Sequence, residues 1–142
     1  MKKMLIMMLL TMTACESRSL QPVDIEPGEM CAMCKMAISE KRYAAEAVGT
    51  DESVFKFDDV GCFLRFIRER GLKDTPAAFF AVDFESGGWI DARQAVYVKS
   101  EAVPSPMASG LLAVKDSPRA AALSAKFLGR VLTFEELWTS TR

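Results

Sequence analysis

Four cysteines and nine methionines stand in a chain of 142 residues that has no histidine. Two residues separate Cys31 from Cys34, a gap that lets both sulfurs close on one metal ion. Around them the chain reads Met30-Cys31-Ala32-Met33-Cys34-Lys35-Met36. Five other methionines precede Cys15, and the last, Met107, lies in Pro104-Ser105-Pro106-Met107. None sits on a helix or strand as core filler, the usual work of methionine. Thiolate and thioether donors select soft ions such as Cu(I), whereas imidazole suits Zn(II) or Cu(II) and carboxylates suit Mg, Ca or Mn. A site of Cys and Met alone points to Cu(I), which is content with two or three ligands.

Plainer chemistry fits the same pair. In an exported protein Cys31 and Cys34 form a disulfide readily. A Cys-x-x-Cys pair can also be a thioredoxin-type redox motif. That motif normally opens a helix after a strand, where the thiol pKa falls, and here a turn, Glu26-Pro27-Gly28-Glu29, comes first. Zinc held by three thiolates and a carboxylate would need Cys62 as the third sulfur. The surrounding methionines have no role in the disulfide or redox readings.

The elements that position these residues read as α+β. Strands are expected at Tyr43–Val48, Val54–Phe57 and Ala78–Phe84, with a helix over Val60–Arg70 capped by Asp58 or Asp59 and stopped by Gly71. Val60, Phe63, Leu64 and Ile67 form its apolar stripe. Gly87-Gly88 turns the chain. Strands then recur at Ala95–Val98 and Leu111–Val114. A helix over Arg119–Leu128 follows, with Ser117 as N-cap and Pro118 at its first position. A short strand at Arg130–Phe134 and a helical turn to Trp138 close the chain. Both halves run strand, strand, helix, strand, and Phe57-Asp58-Asp59 and Val114-Lys115-Asp116 stand 57 residues apart before each helix. Two related ββαβ units, about 37–86 and 89–134, are expected.

Cys62 falls in the first turn of the first helix, on the flank shared with Phe66 and away from the stripe. A thiol there tends to ionise easily and is available as a further ligand. The plainer reading is a half-buried cysteine acting as a small hydrophobe. Met107 lies on the long connection Lys99–Gly110, which two prolines stiffen. Such a loop either carries a ligand to the Cys motif or tucks its methionine onto the core. Asp58-Asp59 stand where a helix N-terminus attracts acids, and no nucleophile–base–orienter set accompanies them.

The start of the chain reads as an export signal. Lys2-Lys3 precede the apolar Met4–Leu10, which is too short to span a bilayer. Thr13-Ala14-Cys15 is what a lipoprotein signal peptidase accepts, so residues 1–14 are expected to be removed and Cys15 to carry lipid. Residues 15–28 read as the lipidated N-terminus and a tether, and 29–142 as the domain. Removing residues 1–14 takes two of the 18 basic side chains and none of the 19 acidic ones, so the net charge of −1 becomes −3. That balance excludes the basic stripe of a nucleic-acid binder.

Taken in order, the lipobox at Cys15, Cys31-Ala32-Met33-Cys34-Lys35-Met36, Phe57-Asp58-Asp59-Val60-Gly61-Cys62, Trp89-Ile90-Asp91-Ala92 running into Ala95-Val96-Tyr97-Val98, and Ser105-Pro106-Met107 resemble one family. It is the NosL lipoproteins, copper-binding accessory proteins of nitrous oxide reductase. The resemblance implies two ββαβ units and a Cu(I) carrier, not an enzyme, at the periplasmic face of a bacterial membrane. Its partners would be that bilayer and nitrous oxide reductase, or the reductase's membrane assembly complex, with copper bound for the catalytic copper–sulfide centre. The family usually has Gly where this chain has Lys35, so a local departure of the backbone is expected there. The expected ligands are Cys34 and Met107, with Cys31 and Met36 completing or alternating in the site and Cys62 and Met33 as further candidates. The motif is expected at the surface, where a partner can reach it. The competing readings are a tethered thiol–disulfide oxidoreductase using Cys31 and Cys34, or an assembly factor with structural zinc or a disulfide.

Overall fold

The computed structural model describes residues 19–140. The export signal and Cys15 lie outside them. Among the described residues no helix is long and apolar enough to cross a membrane.

The chain is α+β, with two antiparallel sheets and associated helices. Strand β1 (Ala45–Val48) pairs with β2 (Val54–Phe57) and, on its other side, with β3 (Ala78–Val82), and β4 (Trp89–Asp91) adds to β3. The second sheet places β5 (Val96–Lys99) between β6 (Leu111–Val114) and β7 (Arg130–Thr133). In both sheets the first strand of the strand–strand–helix–strand run lies in the middle, so the repeat read along the sequence is a repeat of topology. The second half was expected to open at residue 89, yet Trp89–Asp91 joins the first sheet. Three residues carry too little periodicity to announce a strand, and their partner on β3 decides it. Tyr43 belongs to a short 3-10 turn, Lys41–Tyr43, and not to β1.

Helix α1 (Val60–Glu69) lays its apolar stripe on the first sheet. Phe63 meets Phe57 and Phe79 with ring centroids 5.8 and 5.3 Å apart, and Phe66 meets Phe55 and Phe57 at 4.8 and 5.0 Å. Each such side chain contributes roughly 1.5–3 kcal/mol by leaving water. Helix α2 (Ser117–Phe127) covers the second sheet, setting its Ala120 and Leu123 in one cluster with Val98, Leu112 and Val114. Its cap is Asp116, whose carboxylate accepts from the Arg119 N–H; Ser117, expected in that role, is already helical. Asp59 does the same for α1, accepting from the Cys62 N–H with almost the same backbone angles. A capping carboxylate also favours the positive end of the helix dipole, so Asp outcompetes Ser. Helix α3 (Phe134–Ser140) ends the described chain and buries Phe134 and Leu137.

The two sheets meet at Asp83. It is fully buried and forms a parallel bridge to Ala113, and its carboxylate accepts from the backbone N–H groups of Glu85, Ser86 and Lys115.

The face of β1 that carries Glu46 is covered by the N-terminal segment. Residues 23–25, within the stretch read as tether, are docked here: Ile25 is buried and the Val23 N–H donates to Glu46 Oε1 at 2.9 Å. Lys56, opposite Glu46, pairs with Glu29 at 2.7 Å and donates to the Asp24 carbonyl. Glu46 Oε2 is buried without a partner. Burial pushes this carboxyl up to about 7, against the smaller pull of the Val23 N–H and Lys56. A carboxyl raised in the folded state stabilises it at low pH, and that stability is lost as pH rises from the ordinary value towards 7. Glu46→Gln, a neutral isostere, should therefore raise stability at pH 8 by about 1–2 kcal/mol and change it little at pH 5. Thermal melts at the two pH values check this. An equal shift at both would show that Glu46 folds without such a perturbation.

Candidate metal centre

Met30 and Ala37 form an isolated antiparallel bridge, and the loop between them carries the cysteines. The Cys31 N–H donates to the Met36 carbonyl at 2.8 Å, and the Lys35 N–H to the Cys31 carbonyl at 3.0 Å. Closing so tight a loop puts Lys35 at φ +64°, a conformation that favours glycine. The lysine accepts it, with its ammonium on the Ala32 carbonyl at 2.7 Å. The loop is hooked to the edge of the first sheet by the Ala32 N–H, which donates to the Lys56 carbonyl at 2.8 Å.

That hook sets the sulfurs over the start of α1. Cys31, Cys34, Cys62 and Asp58 each offer a ligand atom, and all four atoms lie within 4.8 Å of one another. Cys31 and Cys62 are buried and Cys34 is half-exposed. The expectation of a motif outside the core is thus half corrected: Cys31 belongs to the core, and Cys34 is the sulfur at the surface. The Cys34 thiol donates to Asp58 Oδ2 at 3.4 Å, while Asp58 Oδ1 is buried with no partner. Cys62 is fully buried in the hydrophobic core rather than half-buried, and its thiol is not eased towards ionisation by the helix. Burial pushes it well up, and Cys31 and Asp58 beside it push the same way. Cys34 is raised as well, first by burial. Among neighbouring acids such sulfurs stay protonated until a cation replaces the protons. Three thiolates and a carboxylate oxygen this close suit one ion, with metal–sulfur bonds of about 2.3 Å.

Asp58 is the ligand candidate that the sequence did not reveal, because either acid of Asp58-Asp59 satisfied the expectation of a cap. One signal was present. A cap needs one carboxylate, and the matching position before α2 is Lys115, so the second acid was surplus.

Met107 reaches the same corner from the second sheet. The connection from Ser100 to Gly110 is anchored by buried Val103 and by Ser105, whose hydroxyl accepts from the Gly110 N–H and pairs with Ser109. The Met107 N–H donates to Asp59 Oδ2 at 3.2 Å, while Asp59 Oδ1 holds the Cys62 N–H at 2.9 Å. One carboxylate thus fixes both backbones. The loop comes so close because residue 61 has no side chain: a Cβ there would lie 2.6 Å from Ser109 Cβ. The Met107 side chain is 38% exposed, so it is not core filler. Met33 is half-buried against the core, and Met30 and Met36 are exposed at 56% and 57%. The structure therefore gathers Cys31, Cys34 and Cys62 with Asp58, seats the Met107 backbone beside them, and leaves Met36 at the solvent side of the loop.

The NosL family model matches residues 22–141. The chain belongs to the NosL family. Its fold is similar to that of the copper chaperone NosL from Shewanella denitrificans, solved by crystallography. The TM-score is 0.69 at 19% identity, covering 82% of this chain and 94% of that one. At that identity the likeness is one of fold. No curated protein matches the chain. Both the cysteine loop and the Met107 loop fall inside the stretch that the NosL model matches.

Proposed function

We propose that the protein is a lipid-anchored Cu(I) carrier, bound to a membrane through Cys15, that delivers copper to nitrous oxide reductase or to its membrane assembly complex. The observation that carries this reading is three cysteine sulfurs within 4.8 Å of one another, one of them half-exposed, at the corner where Met107 is seated. Soft donors in that number suit Cu(I). Cys34 is the sulfur a partner reaches first. A low coordination number lets an incoming sulfur bind before the first bond breaks. Met107 and Met36 supply thioethers that bind without losing a proton. Family membership supports the same reading.

Asp58 favours a second reading. Three thiolates and a carboxylate make a complete tetrahedral set for structural Zn(II). Competition decides between them. The reduced protein should take one Cu(I) per chain and hold it against Zn(II). Equal or tighter zinc binding moves the site to the structural reading. The raised thiols also set the sign of the pH dependence. Below their pKa each thiolate formed on binding releases a proton, so Cu(I) affinity should climb by roughly tenfold per pH unit for each proton released. A flat profile between pH 6 and 8 would exclude thiolate ligation.

Met107→Leu tests the thioether. The change nearly conserves volume and should cost under about 1.5 kcal/mol of stability. If Met107 is a ligand, Cu(I) affinity falls by roughly tenfold or about 1.4 kcal/mol beyond any loss of stability. The paired measurement is affinity and metal-free melting temperature, and unchanged affinity removes Met107 from the site.

A further inference from the structure

Two cavities adjoin at the end of β5, the first of them against α1. One, of about 370 Å³, is lined by Gly61, Arg65, Arg68 and Met107; the other, of about 590 Å³, by Ser100, Glu101, Leu128 and Arg130. Lys99 and Ser109 line both, so they form one groove running from Met107 to the rim at Leu128. Cys62 lines it at the Met107 end, and no residue of the Cys31–Met36 loop does.

The charge of this groove is opposite to that of the chain. Arg65, Arg68, Lys99 and Arg130 face two carboxylates, Asp59 and Glu101, in a protein whose net charge is −1. Asp59 is fully buried, and its oxygens already accept from backbone N–H groups. Arg68 is fixed in place, stacked 4.5 Å over the Trp138 ring and donating to the Trp138 carbonyl. Arg65 reaches Glu69 only at 4.0 Å, both side chains being 61% exposed. Among the described residues Lys99 and Arg130 make no ion pair. Leu64 and Leu111 lie beneath the cations at the Met107 end. A fixed Arg68, a loosely held Arg65 and the cations Lys99 and Arg130, which make no ion pair among the described residues, lie over an apolar floor and suit an extended segment that brings carboxylates and some apolar surface.

We propose that this groove docks an acidic segment of the protein that exchanges copper with the chain, aligning the partner's own sulfur donors with Met107. The proposal rests on the copper-carrier reading. Complementary charge of this kind speeds encounter and fixes register more than it adds affinity.

The test uses the Cu(I)-loaded full chain and two synthetic acceptor peptides with one Cys–Met donor set. One peptide is flanked by glutamates, the other by lysines. Copper transfer to the acidic peptide should be about tenfold faster at low salt, and the difference should vanish near 0.5 M salt, where screening acts over about 4 Å. The triple variant Arg65→Glu, Lys99→Glu, Arg130→Glu should reverse the preference while its own Cu(I) affinity stays as in the parent chain. Equal rates for the two peptides with the parent chain overturn the groove and leave the carrier reading standing. A salt-independent preference also overturns it. Transfer to neither peptide, from a protein shown to bind copper, sinks both.

Discussion

Cys62→Ala should lower Cu(I) affinity by at least about a hundredfold, or roughly 2.8 kcal/mol, while the metal-free protein loses only about 1 kcal/mol of stability. Cys62 is buried, and its small side chain can be shortened with little loss of packing, so a structural cysteine would show the second effect without the first. As a ligand it leaves Cys31 and Cys34 with one thiolate fewer and Asp58 with a buried oxygen still unpaired. Titration against a Cu(I) chelator, run beside a thermal melt, separates the two. Affinity within a factor of about three of the parent would return Cys62 to the core.

The second large effect concerns a residue without a side chain. Glycine within a helix is ordinarily improved by alanine, by roughly 0.5–1 kcal/mol. Gly61→Ala should do the reverse and destabilise by about 2 kcal/mol, because the new methyl would lie 2.6 Å from Ser109 Cβ and 3.2 Å from the capping oxygen of Asp59. The loop must give, and Met107 moves with it. Adding Ser109→Gly removes the atom in the way and should recover more than half of the loss, measured against Ser109→Gly alone. Additive effects of the two changes would show that Gly61 does not hold the loop close. The signal of an isotopically labelled Met107 methyl in the metal-free protein should shift in Gly61→Ala and return in the double variant. That reports the placement of the loop whether or not copper binds.

Much of the first half was legible because its signals are local. The stripe Val60, Phe63, Leu64 and Ile67 announced α1, and the strands expected at Tyr43–Val48 and Val54–Phe57 are β1 and β2 with small changes of boundary. The repeat was legible for the same reason, since acid, helix and strand recur at one spacing. What escaped is non-local. Whether Asp58 or Asp59 caps α1 depends on which carboxylate the incoming Cys34 thiol claims, and that thiol is 24 residues away. Cys62 was placed correctly on its helical flank, but its burial depends on a loop that hooks onto Lys56. Trp89–Asp91 reads as a connection until β3 offers it an edge. The sulfur inventory carried the reading of the site further than any element did, because thiols and thioethers have few other employments in a protein without histidine.

The hook that seats the cysteine loop also changes what this molecule presents to its own copies. Strand β2 is an outer strand of the first sheet, and an open outer strand is a template on which a second chain can add. The Ala32 N–H takes up the Lys56 carbonyl on that edge, and the Lys56 ammonium is drawn to Glu29. The cysteine loop therefore covers part of an edge on which a second strand could add. Freeing the loop would expose the Lys56 carbonyl and open that edge to the strand of a neighbouring copy.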